Sequence, residues 1–360
     1  MSRRTRRTVA ALVAGIMTIS LAACAGDGEA KTDNFTVGLM LPSRALPRWE
    51  HSDKPLIERH LRKLCPHCTM EYANAENDAA RQRQQMTSMI TNGAKVLILD
   101  AADTRALRSS TREARREGVP VVAYDRLAEG PISGYVSFDG VQVGRLQGEA
   151  LLKAMGAGAG GENVVMMNGD PTSPNAAAYR KGALSVIAGK TRIAKSYDTL
   201  DWDSANAHAN MSAAMAALGP DRIGGVLAAN DAIAAGVISA LKSARVTKLP
   251  PVTGQDAELE AVQRIIKGEQ YMTVYKPFEK EAAAAAAMAV ALGRGGDARD
   301  VATTTTDSPT TENIPSVLLT PTAVTVDTIE RTLVEDGVYT IAQLCPRLLR
   351  SACEEAGLTR

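Results

Sequence analysis

From residue 35 onward, short aliphatic or β-branched runs alternate with longer segments whose apolar residues recur at helical spacing. The runs at 35–41, 96–99, 119–123, 164–167 and 226–228 predict strands. Between them, 77–90, 104–117, 141–155, 205–218 and 232–244 predict helices with one apolar face. Gly93, Gly118 and Gly189 stand where helix-ending glycines belong. This alternation predicts βαβ units and parallel sheets. The stretch from Gly156 to Gly161 has glycines at dinucleotide-motif spacing, but it precedes a strand instead of following one, so it reads as a flexible connection. The pattern divides into two α/β halves, one running to about Asp139 and the next beginning with the helix after it, each a doubly wound sheet. In such sheets a ligand sits outside the carboxyl ends of the strands, which makes the polar residues there the ones to weigh.

The N-terminal apolar run is of another kind. Arg3, Arg4, Arg6 and Arg7 precede residues 9–21, which are too few to span a bilayer as a permanent helix and read as a secretory signal. The run ends in Leu21-Ala22-Ala23-Cys24, which resembles the lipobox of bacterial lipoproteins. On that reading residues 1–23 are a signal peptide, Cys24 takes the lipid, and 24–34 are a tether that holds the protein at the outer face of the cytoplasmic membrane. Ser2-Arg3-Arg4 lacks the apolar residues that should follow a twin-arginine pair, which favours the general secretory route.

Composition narrows the partners. A chain of 360 residues is long enough for two ordinary domains, and with 41 basic against 40 acidic residues nothing in the overall charge points to a polyanionic partner such as nucleic acid, which is not expected. The ligand is expected to be small and close to neutral. With two Trp and three Phe in the whole chain, a Trp at a strand end carries weight. After Cys24, four of the five cysteines remain, and an exported chain is expected to pair Cys65, Cys68, Cys345 and Cys353 in disulfides. Cys65-Pro66-His67-Cys68 resembles a redox C-x-x-C but falls in a turn between a helix and a strand, so it reads as structural. Cys345 with Cys353 would close a short C-terminal loop, while long-range pairings stay open. The four histidines complete no zinc spacing with these thiols, and neither metal nor cofactor is expected.

The segments after the strands read Arg48-Trp49, Tyr124-Asp125-Arg126, Val136-Ser137-Phe138-Asp139, Gly169-Asp170-Pro171-Thr172, Ala229-Asn230-Asp231, Gly254-Gln255-Asp256-Ala257 and Met272-Thr273-Val274-Tyr275-Lys276-Pro277. In this order they resemble the class I periplasmic sugar-binding family, and within it the D-xylose-binding proteins of ABC importers. The resemblance runs from Phe35 to Val338 and includes Pro315-Ser316-Val317-Leu318-Leu319. It implies an α/β fold of two doubly wound parallel-sheet lobes joined by a three-segment hinge. Lobe 1 would be 35–138 plus 277–318, and lobe 2 would be 139–276 plus 319–360, with crossings near Phe138, Lys276 and Leu319. Hinge closure would bring both lobes onto one ligand.

A pyranose has hydroxyls on its rim and C–H bonds on its faces, so a site needs polar forks at the edge and flat plates above and below. The resemblance assigns the plates to Trp49 and Trp202, each flanked by charge in the sequence. It makes Asp125 and Asp256 acceptors of sugar hydroxyls, and Arg48, Arg126, Arg180, Asn230 and Lys276 donors. Asn175 follows Pro174 where the family carries paired Asn, which puts its contact in doubt. The prolines of Leu41-Pro42-Ser43-Arg44-Ala45-Leu46-Pro47 also depart from the xylose-type pattern, and glucose- and galactose-binding members share Gly254-Gln255-Asp256-Ala257.

The expected partners are therefore a monosaccharide, ABC permease subunits and, through the lipid alone, a membrane; the protein is expected to be a monomer. Paired carboxylates also serve glycosidases, but there is no nucleophile elbow or metal motif, and an enzyme is not expected. Sugar-responsive repressors of the same fold begin with a helix-turn-helix, where this chain has a signal segment. A sensor presenting sugar to a receptor kinase, or a glucose/galactose-type multiple-sugar receptor, is the alternative.

Overall fold

The aliphatic run after Phe35 forms β1 (Thr36–Leu41), and a π-helical turn over Trp49–Asp53 leads into α1 (Lys54–Leu64). There follow β2 (Thr69–Asn74), α2 (Ala79–Thr91), β3 (Ala94–Leu99), α3 (Arg108–Arg116), β4 (Val121–Tyr124) and β5 (Gly134–Phe138). Next come α4 (Gly140–Met155), β6 (Asn163–Asn168), α5 (Pro174–Ile187), β7 (Arg192–Asp198), α6 (Ser204–Leu218) and β8 (Ile223–Ala228). The chain continues through α7 (Asp231–Ser243), α8 (Leu259–Ile266), β9 (Met272–Tyr275) and α9 (Phe278–Gly293). It ends with β10 (Thr304–Ser308), β11 (Thr311–Leu319), β12 (Thr322–Thr325), α10 (Ile341–Leu344) and α11 (Arg350–Glu355). This computed structural model describes residues 34–359. The signal segment, Cys24 and the tether to residue 33 lie outside the described residues.

Local chemistry sets the helix ends. Asp78, Asp139, Asp203 and Asn230 each accept a first-turn amide of α2, α4, α6 and α7 through the side chain, at 2.7–3.1 Å. Gly93, Gly118 and Gly189 follow the last turns of α2, α3 and α5 at φ of 89°, 72° and 76°, where a Cβ would be strained.

The first sheet has seven strands in the order β10-β11-β5-β4-β3-β1-β2, parallel throughout except for the antiparallel edge strand β10. The second has β7-β6-β8 in parallel. Val252 bridges Val226 beside it, and the Tyr271 amide donates to Val252 (3.0 Å), so the antiparallel pair β9-β12 continues the layer. The chain passes between the two layers at Asp139, at Lys276–Pro277 and between Leu319 and Thr322. Two of these passages are tied by the Asp139 amide donating to Leu319 (3.0 Å).

Several elements carry no clear pattern in the sequence. Strands β2 and β7 are half-exposed edge strands with polar residues on both faces, and α9 is so rich in alanine that no period emerges. Gly156–Gly161 forms a 3₁₀ turn capped by the Ala159 carbonyl, and so is more ordered than the free connection its composition suggests. The cysteines pair as two local bridges, Cys65 with Cys68 and Cys345 with Cys353. The second lies in a C-terminal segment whose Ile329, Leu333, Leu344 and Leu358 pack with Val262, Ile265 and Tyr275 of α8 and β9. Among the described residues no helix is long and apolar enough to cross a membrane.

Helices α4 and α5 meet with almost no side chain between them. A Cβ on Gly144 would fall 1.9 Å from the Tyr179 carbonyl oxygen, and one on Gly182 would fall 2.0 Å from that of Val141. Backbone contact of this kind sets the position of α5, which carries Asn175 and Tyr179. Gly144→Ala is therefore expected to force the helices apart and to lower stability by roughly 1–3 kcal/mol, read from the midpoint of urea unfolding.

Candidate ligand-binding site

The polar residues at the strand ends converge. Arg48 and Trp49 follow β1, Asp125 and Arg126 follow β4, Asn230 follows β8, Asp256 follows the Val252 segment and Lys276 follows β9. With Asn175 and Trp202 from the ends of α5 and the turn before α6, they line one tight cavity of about 20 Å³. That is far below the roughly 300–1,000 Å³ of ordinary ligand pockets, so the side chains close on one another and anything larger than a water enters only if the walls part. Every one of these side chains except Asn175 is buried.

Backbone conformation aims several of them. Asp125, Asp201, Trp202 and Asp256 adopt φ of 53°, 58°, 55° and 102°. Such left-handed residues cost roughly 1–3 kcal/mol each and persist only where surroundings enforce them. The enforcement is visible at Asp125, whose amide donates to Val136 (2.9 Å) and whose carbonyl accepts the hydroxyls of Tyr135 (3.0 Å) and Ser137 (2.7 Å). At Trp202 the indole lies where a Cβ on Gly169 would be, 2.0 Å from its nearest ring carbon. Glycine at the end of β6 thus lets the ring reach the cavity, and Tyr179 packs on it edge to face with centroids 6.2 Å apart.

Charge is organised around Arg48. Its Nη1 donates to Asp125 Oδ2 (2.8 Å), Nε and Nη2 donate to the two oxygens of Asp53 (2.9 and 2.8 Å), and Nη2 also reaches Glu281 Oε2 (3.1 Å). The guanidinium lies between the rings of Trp49 and Phe278, 4.0 Å from each. Lys276 Nζ is 2.8 Å from Asp256 Oδ1 and 3.7 Å from Asp125 Oδ2. Burial raises the Asp125 pKa, but Arg48 and then Lys276 more than offset it and hold the group at about 2. Burial likewise acts to lower the Lys276 pKa, and the Asp256 carboxylate more than reverses it. Glu281 moves the other way: burial, then the nearby Asp125, push its carboxyl well above the usual range.

The cavity wall also holds polar groups with nothing to bind. Ser173 Oγ, Asn230 Nδ2, Gln255 Oε1 and the indole N–H of both Trp49 and Trp202 are buried and find no hydrogen-bond partner among the described residues. Native proteins keep few such groups, so several around one cavity mark where a ligand's donors and acceptors belong.

Nine of the ten residues expected to bind ligand thus surround one space. The tenth, Arg180, does not: its side chain is exposed and does not line the cavity. Helical geometry explains the difference, because Asn175 and Tyr179 are four apart on one face of α5 and Arg180 is a further 100° round. Tyr179 is the lining residue there. Asn175, despite the preceding proline, donates to Asp125 Oδ1 at 2.6 Å. Arg48 is less a free donor than expected, since most of its N–H groups are taken. Arg126 is shared with the opposite wall, donating to the Ala101 carbonyl (3.1 Å) beside Asp100. Leu46, Ser173, Tyr179 and Gln255 complete the lining. Gln255 and Ser173 lie inside or next to the strand-end motifs and were within reach of sequence reasoning; Leu46 and Tyr179 carried no such signal. No group of His, Cys, Asp and Glu able to hold a metal ion occurs among the described residues.

Known proteins resemble this chain over most of its length. A family profile described as periplasmic binding protein domain matches residues 37–297. The multiple sugar-binding periplasmic protein SbpA of Azospirillum brasilense is 33% identical over 335 residues, 86% of this chain and 91% of that protein. The D-xylose-binding periplasmic protein of Escherichia coli K12 is 32% identical over 314 residues, 86% of this chain and 92% of that one. A solved ABC transporter solute binding protein of Clostridium phytofermentans with bound β-D-glucose superimposes with a TM-score of 0.77 at 29% identity, covering 86% of this chain and 99% of that one. The chain belongs to the periplasmic binding protein family, in the class I sugar-binding group near the xylose binders. It is a solute-binding protein and not an enzyme.

Behind the cavity lies a second acidic pair. Asp231 is fully buried, with Oδ1 accepting from Gln270 (2.8 Å) and Oδ2 from Thr273 (2.8 Å) and the Glu258 amide (3.0 Å). Burial, then Asp256, push Asp231 up to about 7; burial, then Asp231, push Glu258 up to about 8. Both acids hold their protons more tightly folded than unfolded. Their contribution to stability is complete below the ordinary carboxylate range and is lost as pH rises through 7 and 8. The melting temperature is therefore expected to be lower at pH 9 than at pH 6, and Asp231→Asn is expected to flatten that decline.

Proposed function

We propose that this protein is an extracytoplasmic, lipid-anchored receptor that encloses one monosaccharide, xylose or a similar aldose, and delivers it to an ABC importer. The observation that carries this reading is the lining of the cavity: two indoles, unpartnered polar groups and ion-paired carboxylates converge on one point. The cations Arg48 and Lys276 are already matched by carboxylates, so a neutral polyol leaves the charge balance undisturbed where an anionic ligand would not. Rim hydroxyls would satisfy Ser173, Asn230 and Gln255, and the C–H faces would lie against indole. The glucose bound by the Clostridium phytofermentans protein supports a second reading, a glucose-type or multiple-sugar receptor.

Lobes of 35–138 plus 277–318 and of 139–276 plus 319–360 would hinge at the three passages near Phe138, Lys276 and Leu319, opening the cavity for entry and closing it for delivery. The anchor rests on Leu21-Ala22-Ala23-Cys24 after the apolar run.

Calorimetry of the signal-free protein against a panel of aldoses is expected to give one site per chain with xylose or a near relative, and the sugar recovered unchanged. No heat with any aldose refutes the reading. Trp202→Ala and Asp256→Asn are each expected to weaken binding at least tenfold, or about 1.4 kcal/mol, with cooperative melting retained. In a host that processes lipoproteins, Cys24→Ser is expected to move the protein from the membrane fraction to the soluble one; continued membrane association would rule out this anchor.

A further inference from the structure

Asp53 is fully buried, does not line the cavity, and grips the Arg48 guanidinium with both oxygens, accepting Nε at 2.9 Å and Nη2 at 2.8 Å. The grip depends on the π-helical turn at Trp49–Asp53, in which the Lys54 amide donates back to Trp49. In an α-helix, residues five apart are rotated by about 140°; the extra residue of a π turn brings Asp53 round onto the side of Arg48. Such turns are rare and concentrate at functional sites. Tyr124, from β4 in the middle of the first sheet, donates its hydroxyl to Asp53 Oδ1 and fixes the carboxylate in turn. Stacked between two rings and held at Nε and Nη2, the guanidinium presents one arm to the cavity: Nη1, 2.8 Å from Asp125 Oδ2 and 3.7 Å from Asp256 Oδ1.

We propose that Asp53 is a positioning residue for ligand capture, fixing the Arg48 guanidinium so that Nη1 aligns the two cavity carboxylates Asp125 and Asp256 before ligand arrives. The inference rests on the sugar-binding reading above. Planar bidentate pairing orients an arginine and not merely its charge, and orientation set in advance lowers the ordering cost of binding.

The test is calorimetry with xylose and glucose on the full signal-free chain, with melting recorded for each variant. Asp53→Asn replaces one acceptor by a donor facing Arg48. It is expected to weaken every sugar that the wild type binds by about tenfold. In an Arg48→Lys background, where no fork can form, the same change is expected to alter affinity less than about twofold. A purely structural role for Asp53 would instead give losses that add. Should Asp53→Asn fail to melt cooperatively, Tyr124→Phe removes the second hold on Asp53 without touching Arg48 or the cavity, with an expected loss of about threefold. Wild-type affinity in Tyr124→Phe or in folded Asp53→Asn, or additive losses in the double variant, overturns the assignment. A wild-type protein that binds no sugar refutes the functional reading instead, because the variants then have nothing to lose.

Discussion

A guanidinium with almost no access to water must be surrounded by partners, and Arg48 is such a group: its side chain is 3% exposed. Its partners come from four parts of the chain: Asp53 in the adjoining turn, Asp125 after β4, Glu281 on α9 and, at longer range, Asp256 beyond the second sheet. Breaking any one arm leaves charge unpaired in a medium that screens poorly. The network therefore ties the first sheet to α9 and brings the loops of both layers toward the same point. Lys276 repeats the arrangement from the other side, bridging Asp256 and Asp125.

Around that centre the protein concentrates features that a structure built for stability alone would avoid. Four neighbouring residues have left-handed backbone, five buried polar groups lack partners, and a tryptophan occupies space that only glycine at 169 leaves open. Each is costly without ligand. Together they gather at one cavity held by the cores on either side: the packed α4–α5 pair beneath Asn175 and Tyr179, and the seven-stranded sheet beneath Asp125. Polar groups held rigidly in advance lower the ordering cost of binding.

Electrostatics within the fold act in opposite directions at two depths. At the cavity, cations hold Asp125 ionised far below the ordinary carboxylate range. One layer behind, Asp231 and Glu258 crowd Asp256 with less compensation, Arg264 being the cation that acts against the rise in both, and their protons are retained toward neutrality. The Tyr339 hydroxyl, donated to the Ala257 carbonyl at 2.9 Å, links this acidic layer to the C-terminal segment closed by Cys345 and Cys353.

Much of this was legible in the sequence, because much of it is local. Hydrophobic spacing marked the strands and helices that alternate cleanly, terminal glycines marked helix ends, and the family resemblance named nine of the residues that line the cavity. Spacing and terminal glycines act over two to five residues and survive in one dimension, whereas the site residues were implied by the resemblance along the whole chain. Edge strands β2 and β7 and the alanine-rich α9 escaped because no face of theirs is uniquely apolar. Arg180, a donor that the resemblance implied, lies instead on the exposed face of α5, because a resemblance in sequence does not fix which way a helix turns. The roles of Asp53, Glu281 and Tyr179 were decided only by tertiary structure. Glu281 meets Arg48 across 233 residues of chain, a pairing that exists because packing removed water from both. Local periodicity determines which elements form; desolvation, which depends on everything around a group at once, determines which charges must find each other.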